Sequence, residues 1–128
     1  RGFLAAGTTQ FQYTVGAKNA EAISPDNWTH DQALLDRPGT DAYQLDLLEN
    51  YKTNVGLYDS WHAAFREHKP KTLIIWGKND PFFIPAGAEA FKRDLPAAKL
   101  VWLDAGHFVL DENASEVARE IKATFSSN

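Results

Sequence analysis

The stretch TLIIWGKNDPFF, Thr72 to Phe83, decides the fold. Leu73, Ile74, Ile75 and Trp76 make a short, continuously apolar, partly β-branched run that stops at Gly77, the pattern of a strand covered on both faces. Just past its end stands Asp80, between Asn79 and Pro81. VWLDAGHFVL, Val101 to Leu110, repeats the arrangement with His107 between Gly106 and Phe108. Between the two runs AGAEAFKRDL favours helix and is closed by Pro96. After them comes NASEVAREIKATF, in which Ala114, Val117, Ala118, Ile121 and Phe125 share one helical face. Asn113 with Glu116 resembles a capping box at its start. The spacing predicts strands near 72–77 and 99–104 and helices near 86–95 and 113–126. The fold class is α/β, a parallel β-α-β-α unit with a right-handed crossover.

The rest of the chain reads differently. Residues 1 to about 40 carry little periodicity, and ISPDNWTHDQALLDRPGTD is rich in turn and cap residues, with RPGT (Arg37–Thr40) a strong turn. From Asp41 to His68, Leu45, Leu48, Tyr51, Val55, Tyr58 and Phe65 recur at helical steps, broken near Gly56 and restarting with Asp59 as N-cap. HKPK ends this helix, because proline disfavours helical backbone in the residue before it. Two strands are too few for a parallel sheet and leave an apolar edge bare. Further strands lie either within the first 40 residues or in chain beyond this sequence, and the second is the better expectation.

Composition excludes several function classes. Of the 128 residues 44% are hydrophobic and 23% charged, with a formal net charge of -4, which offers nucleic acid no basic patch. No apolar run approaches the roughly 20 residues that span a bilayer, so no membrane partner is expected. Cysteine is absent, which removes disulfides, thiolate catalysis and cysteine metal sites and suits a reducing compartment such as the cytoplasm. Methionine is absent too, so Arg1 is not an initiator, and the chain is expected to be part of something longer.

In an open parallel sheet ligands collect outside the carboxyl ends of the strands. If the two strands are neighbours, Asp80 and His107 reach the same rim. A catalytic histidine needs a carboxylate to fix its tautomer and stabilise its imidazolium. Gly77 and Gly106 allow tight turns there. The bland alternatives are that Asp80 caps a turn before Pro81 and that His107 is a buried, hydrogen-bonded core residue. Asp104, Asp111 and Glu112 are rival partners for the histidine and rank below Asp80. His30, His62 and His68 show no ligand spacing, so no metal site is expected. Trp76 and Trp102 fall within strands and read as core. Trp28 and Trp61 read as packing residues, with a pocket wall as the alternative.

LIIWGKNDPFF, GAEAFKRDLP, LDAGHFVLDE and the final helix resemble the C-terminal end of an α/β-hydrolase, in the haloalkane dehalogenase and epoxide hydrolase-like branch. ISPDNWTHDQALLDRPG and LDLLENYKTNVGLYDSWHAAFREHKP are similar to the tail of that branch's helical cap. The resemblance implies a helical cap remnant over 1–70 and the last β-α-β-α part of the core over 71–128. It makes Asp80 the catalytic acid and His107 the base, in the chain order acid before histidine. Trp28, Phe82 and Phe108 are the expected substrate-contacting side chains. The implied substrate is a small molecule and no cofactor is implied. The nucleophile elbow and the HG oxyanion motif of the family are missing, and Ser24, Ser60, Ser115, Ser126 and Ser127 lack the flanking glycines. The nucleophile, Ser or Asp, is therefore expected upstream, and the bare sheet edge is expected to be covered by that N-terminal part or by a second copy. The competing reading is a non-catalytic binding or oligomerising remnant of a hydrolase.

Overall fold

The described residues, 2–126 of the computed structural model, run through α1 (Ala6–Thr14), α2 (Pro25–Leu35), α3 (Thr40–Asn50), α4 (Lys52–Val55), α5 (Tyr58–His68), β1 (Leu73–Gly77), α6 (Pro85–Ala90), β2 (Lys99–Leu103) and α7 (Val109–Phe125). Short 3-10 turns occur at Gly2–Leu4, Ala20–Ala22 and Phe91–Arg93. The strands pair in parallel, from Leu73 opposite Lys99 to Gly77 opposite Leu103, as the two apolar runs predict.

Side chains alternate across a strand, and the alternation explains the layers. Ile74, Trp76 and Leu100 pack on one face with Ala88 of α6, Leu95, Ala98 and Phe65 of α5. Ile75, Val101 and Leu103 pack on the other with Ala105 and with Val109 and Val117 of α7. The two strands thus form a middle layer with helices on both sides, which is why their sequences are apolar at successive positions. Asp94, buried just beyond α6, accepts hydrogen bonds from both His62 and Arg66 of α5. The Arg66 guanidinium holds this carboxyl below the usual carboxylate range, against the effect of burial, with His62 adding to the pull.

The first 40 residues hold helices and, among those described, no strand, so the lesser alternative of hidden strands there falls away. Other details differ from the sequence reading. In ISPD, Ser24 is an N-cap whose hydroxyl accepts from the Asp26 N–H, and Pro25 takes the first helical position, a favoured combination hidden among turn-forming residues. The break at Gly56 is real, but Leu57, not Asp59, precedes α5, and Asp59 lies in its first turn. Lys69 ends α5 in the left-handed region, φ 43° and ψ 54°, a common helix C-terminal conformation, where Pro70 disfavours a further right-handed helical residue. Helical structure begins a turn early, at Val109, and the non-helical backbone of Asn113 (φ -132°, ψ 29°) makes a kink that separates this first turn from the helix expected from 113 onward. Trp102, read as core, is 37% exposed, because among the described residues β2 has β1 as its one strand neighbour.

The helical face from Leu45 to Tyr58 has the expected spacing but little cover. Leu48, Tyr51 and Val55 are each more than half exposed. The chain exposes 8804 Å², against about 6,800 Å² for a compact monomer of 14.3 kDa. That surplus of about 2,000 Å² on one chain exceeds the roughly 800 Å² per partner of an ordinary protein–protein interface and matches one side of a large one.

Gly77 and Gly106 do not have positive φ; among the described residues Gly16 (φ 75°) and Gly39 (φ 85°) are the glycines that do. The need at Gly77 is space, since a Cβ there would sit 2.1 Å from the Gly106 carbonyl oxygen. Gly77→Ala should therefore lower stability by about 1–3 kcal/mol, the usual cost of overpacking, read as a lower urea midpoint. An unchanged midpoint would show that the rim relaxes freely.

Candidate active site

The rim is built by backbone continuing the sheet ladder past the strand ends. Lys78 N–H donates to Leu103 O at 2.9 Å and Asn79 N–H to Ala105 O at 3.1 Å, while Asp80 N–H turns back to Gly77 O at 3.2 Å. The loops after β1 and β2 are thereby sewn together, and Asp80 and His107 come to the same place. His107 Nδ1 lies 2.9 Å from Asp80 Oδ2. A carboxylate only accepts, so Nδ1 carries the hydrogen and Nε2 is left as the basic nitrogen.

Asp80 is buried, at 6% exposure, and both its oxygens are hydrogen-bonded. Its Oδ1 accepts from the N–H groups of Phe82 at 2.8 Å and Phe83 at 3.0 Å. Burial alone would push this carboxyl up, but the His107 hydrogen bond, then the Phe83 and Phe82 N–H groups and the histidine's charge, bring it below its ordinary value. The Asx-type turn before Pro81 and the acid–histidine pair are therefore the same carboxylate acting through two oxygens, not competing explanations.

The rival carboxylates are engaged elsewhere. Asp104 accepts from the Asn79 amide at 3.0 Å and pairs with Lys78 at 3.5 Å. Asp111 accepts from the Asn27 amide. Glu112 accepts from Gly106 N–H at 2.9 Å and from Lys18 N–H at 2.8 Å, tying the histidine loop to the segment after α1. Asn79 Nδ2 also donates to Gly16 O at 3.1 Å. Neither Asn79 nor Glu112 carries an unusual sequence signal, and their roles arise from long-range contacts.

A cleft of about 300 Å³ opens beside the pair, lined by Trp76, Asp80, Phe83, His107, Phe108 and Leu110 among others. Three phenyl rings surround the imidazole: Phe82 and Phe83 with centroids at 5.2 Å and Phe108 at 5.0 Å. Phe82 and Phe108, expected as substrate contacts, both lie beside the histidine, and Phe108 lines the cleft. Phe83, which adjacency to Phe82 in DPFF could have suggested, joins them. Trp28 stands farther off, with its ring 6.2 Å from Tyr13, which itself stacks at 4.0 Å on Phe108. The Tyr13 hydroxyl donates to Asp31 at 2.6 Å, and burial first, then this acceptor, raises its pKa. Trp76 lines the cleft as well as the core, and its indole N–H donates to Phe83 O at 2.7 Å. Among the described residues no group of three or more His, Asp or Glu side chains could hold a metal ion. His30 and His68 are exposed, and His62 serves Asp94. No helix among these residues is long and apolar enough to cross a membrane.

The carboxyl of Asp80 is lower in the folded than in the unfolded state. Its stabilisation is thus complete above the unfolded value, about 3.9, and is lost as pH falls through the folded value. Unfolding midpoints of the wild type and Asp80→Asn should accordingly differ most at neutral pH and converge as pH drops from 5 towards 2. A gap that stays constant over that range would mean that the charge of Asp80 is not what stabilises the rim.

Residues 16–114 match the α/β-hydrolase fold family. The chain is 38% identical over 117 residues to an uncharacterized hydrolase of Saccharomyces cerevisiae, covering 91% of this chain and 40% of the yeast protein. It therefore spans about two fifths of the length of that relative. No solved structure matches it. With the parallel strands, the flanking helices and the acid and histidine loops on one rim, the chain belongs to the α/β-hydrolase fold family.

Proposed function

We propose that this chain is the C-terminal part of a hydrolase acting through a nucleophile, Asp80 and His107. The observation that carries this reading is the buried Asp80 carboxylate, which orients His107 at an aromatic cleft. Residues 1–70 would be the end of a helical cap and residues 71–128 the last β-α-β-α part of the core. The nucleophile and the oxyanion donors would come from chain outside these residues, which accords with the share of the yeast relative that is covered. They would pack on the bare strand edge and the uncovered helical face, or else a second copy would.

In that enzyme the nucleophile, Ser or Asp, forms a covalent ester with the substrate. A Ser passes its proton to His107 and expels the alcohol of an ester substrate, which takes up that proton. An Asp carboxylate instead displaces halide from a haloalkane, or opens an epoxide C–O bond, whose oxygen takes a proton from water. His107 Nε2 then takes a proton from the water that hydrolyses the covalent ester, and that proton goes to the released nucleophile or to solvent. Asp80 holds the ring and offsets the imidazolium charge. The apolar lining from Trp76, Phe83, Phe108 and Leu110 suits a small, largely apolar organic molecule. With an Asp nucleophile this is a haloalkane or an epoxide, the chemistry of the dehalogenase and epoxide hydrolase-like branch, and with a Ser nucleophile an ester. Trp28 would act behind Tyr13 and Phe108, shaping the pocket wall. The lack of cysteine accords with a cytoplasmic location.

Mass spectrometry of a complete His107→Gln enzyme with substrate tests the mechanism. An Asp nucleophile should leave covalent ester accumulating, whereas a Ser nucleophile, which also needs the histidine for attack, should give none. Full turnover by the variant would remove His107 from the mechanism.

The 128-residue chain by itself should be inactive. Loss of one oxyanion donor already costs about 10²- to 10³-fold, and here the nucleophile is missing as well. On size-exclusion chromatography it should self-associate through its uncovered apolar surface. A monomer that turns over an ester, an epoxide or a haloalkane, and stops doing so as His107→Ala, would overturn this assignment.

A further inference from the structure

The segment from Pro81 to Ile84 has little burial to hold its shape. Phe83 and Ile84 are 61% and 59% exposed, and Phe82 is partly exposed. Yet this segment supplies both N–H groups on Asp80 Oδ1 and two of the rings around His107. Phe82 also meets Phe11 of α1 edge to face, with ring centroids 6.1 Å apart, and the segment's link to the core cluster is the indole N–H of Trp76, which donates to Phe83 O at 2.7 Å. The Trp76 ring packs against the buried cluster of Ile74, Ala88, Leu95 and Ala98. We propose that Trp76 is a positioning residue that acts through Phe83 and Asp80 on His107. A run of contacts leads from the core cluster to the indole, to the Phe83 carbonyl, through that residue to its own N–H, to Asp80 Oδ1, and from Oδ2 to His107 Nδ1. Each link is directional, so removing the indole donor frees residue 83 and lets the carboxylate turn. A plain packing role would need the ring but not its N–H.

The catalytic consequence rests on the function proposed above, but the structural readout needs no turnover. The test is made on the complete protein that carries this chain, by following the His107 Nδ1–H proton and its solvent exchange in NMR. In the wild type this proton should be far downfield and protected, and Asp80→Asn should abolish it. Trp76→Phe keeps an aromatic ring but lacks the donor, and should make exchange about tenfold faster or broaden the signal away. If the variant does not fold, β-(3-benzothienyl)alanine at position 76, with sulfur in place of the N–H, serves in its stead. With a substrate in hand, the donor-less protein should lose about tenfold in kcat with little change in KM, as misoriented catalytic groups do. Wild-type exchange of Nδ1–H in the donor-less proteins, whatever their melting temperature, overturns the role of Trp76. An unaltered Nδ1–H in Asp80→Asn instead overturns the acid–histidine pair itself, and the proposal with it.

Discussion

A buried carboxylate cannot stand uncompensated in a protein interior, and much of the rim follows from satisfying Asp80. Desolvation penalises its charge, and only donors aimed at both oxygens can reverse that. Two come from the backbone of its own loop and one from His107. The loop must therefore curl back over Asp80, and the histidine must arrive from the neighbouring strand. The same saturation that makes the charge tolerable fixes the imidazole tautomer. Structural need and chemical readiness are met here by one set of hydrogen bonds.

That arrangement demands close approach of three backbone segments, and three glycines permit it. Cβ atoms on Gly16, Gly77 and Gly106 would each come within 2.3 Å of a carbonyl oxygen of a neighbouring segment. Glu112 and Asn79 then bind the segments to one another through N–H and amide hydrogen bonds. The helical half is tied on at a second place by Asp94, which takes His62 and Arg66 of α5. Phe108 stacks on Tyr13 of α1 and lies nearly perpendicular to the His107 ring, 5.0 Å away. The helices before β1 thus back the cleft through Phe108 without lining it.

Elsewhere the molecule is open. No large side chain among the described residues is completely buried, and apolar residues of α3, α4 and α5 face outward. For a family member spanning about two fifths of a relative, such surfaces are where the proposed remainder of a hydrolase, or a second copy, would find its contacts. The cleft holds His107 and the carboxylate bonded to it, and the proposed nucleophile would approach from outside these residues.

Local patterns were enough for the strands, the helix after each of them and the direction of pairing, because a continuous apolar run and a helical repeat are dictated by a residue's near neighbours. They were enough, too, to place Asp80 and His107 past the ends of neighbouring parallel strands, since parallel pairing puts both ends on one side. α2 stayed unread because a Ser-Pro cap and polar helical residues use the same vocabulary as turns. The helix start at Val109 and the kink at Asn113 were equally invisible from a single period of apolar residues. Which carboxylate meets the histidine was decided in three dimensions: Asp104, Asp111 and Glu112 are far nearer to His107 in sequence than Asp80, but Asn79, Asn27 and the N–H groups of Lys18 and Gly106 engage them. Trp76 read as core from its strand position, and only the fold of the Pro81–Ile84 segment back over β1 puts a carbonyl within reach of its indole. Composition and spacing report what each residue is suited to do, while the partner it meets depends on long-range backbone geometry that no local pattern contains.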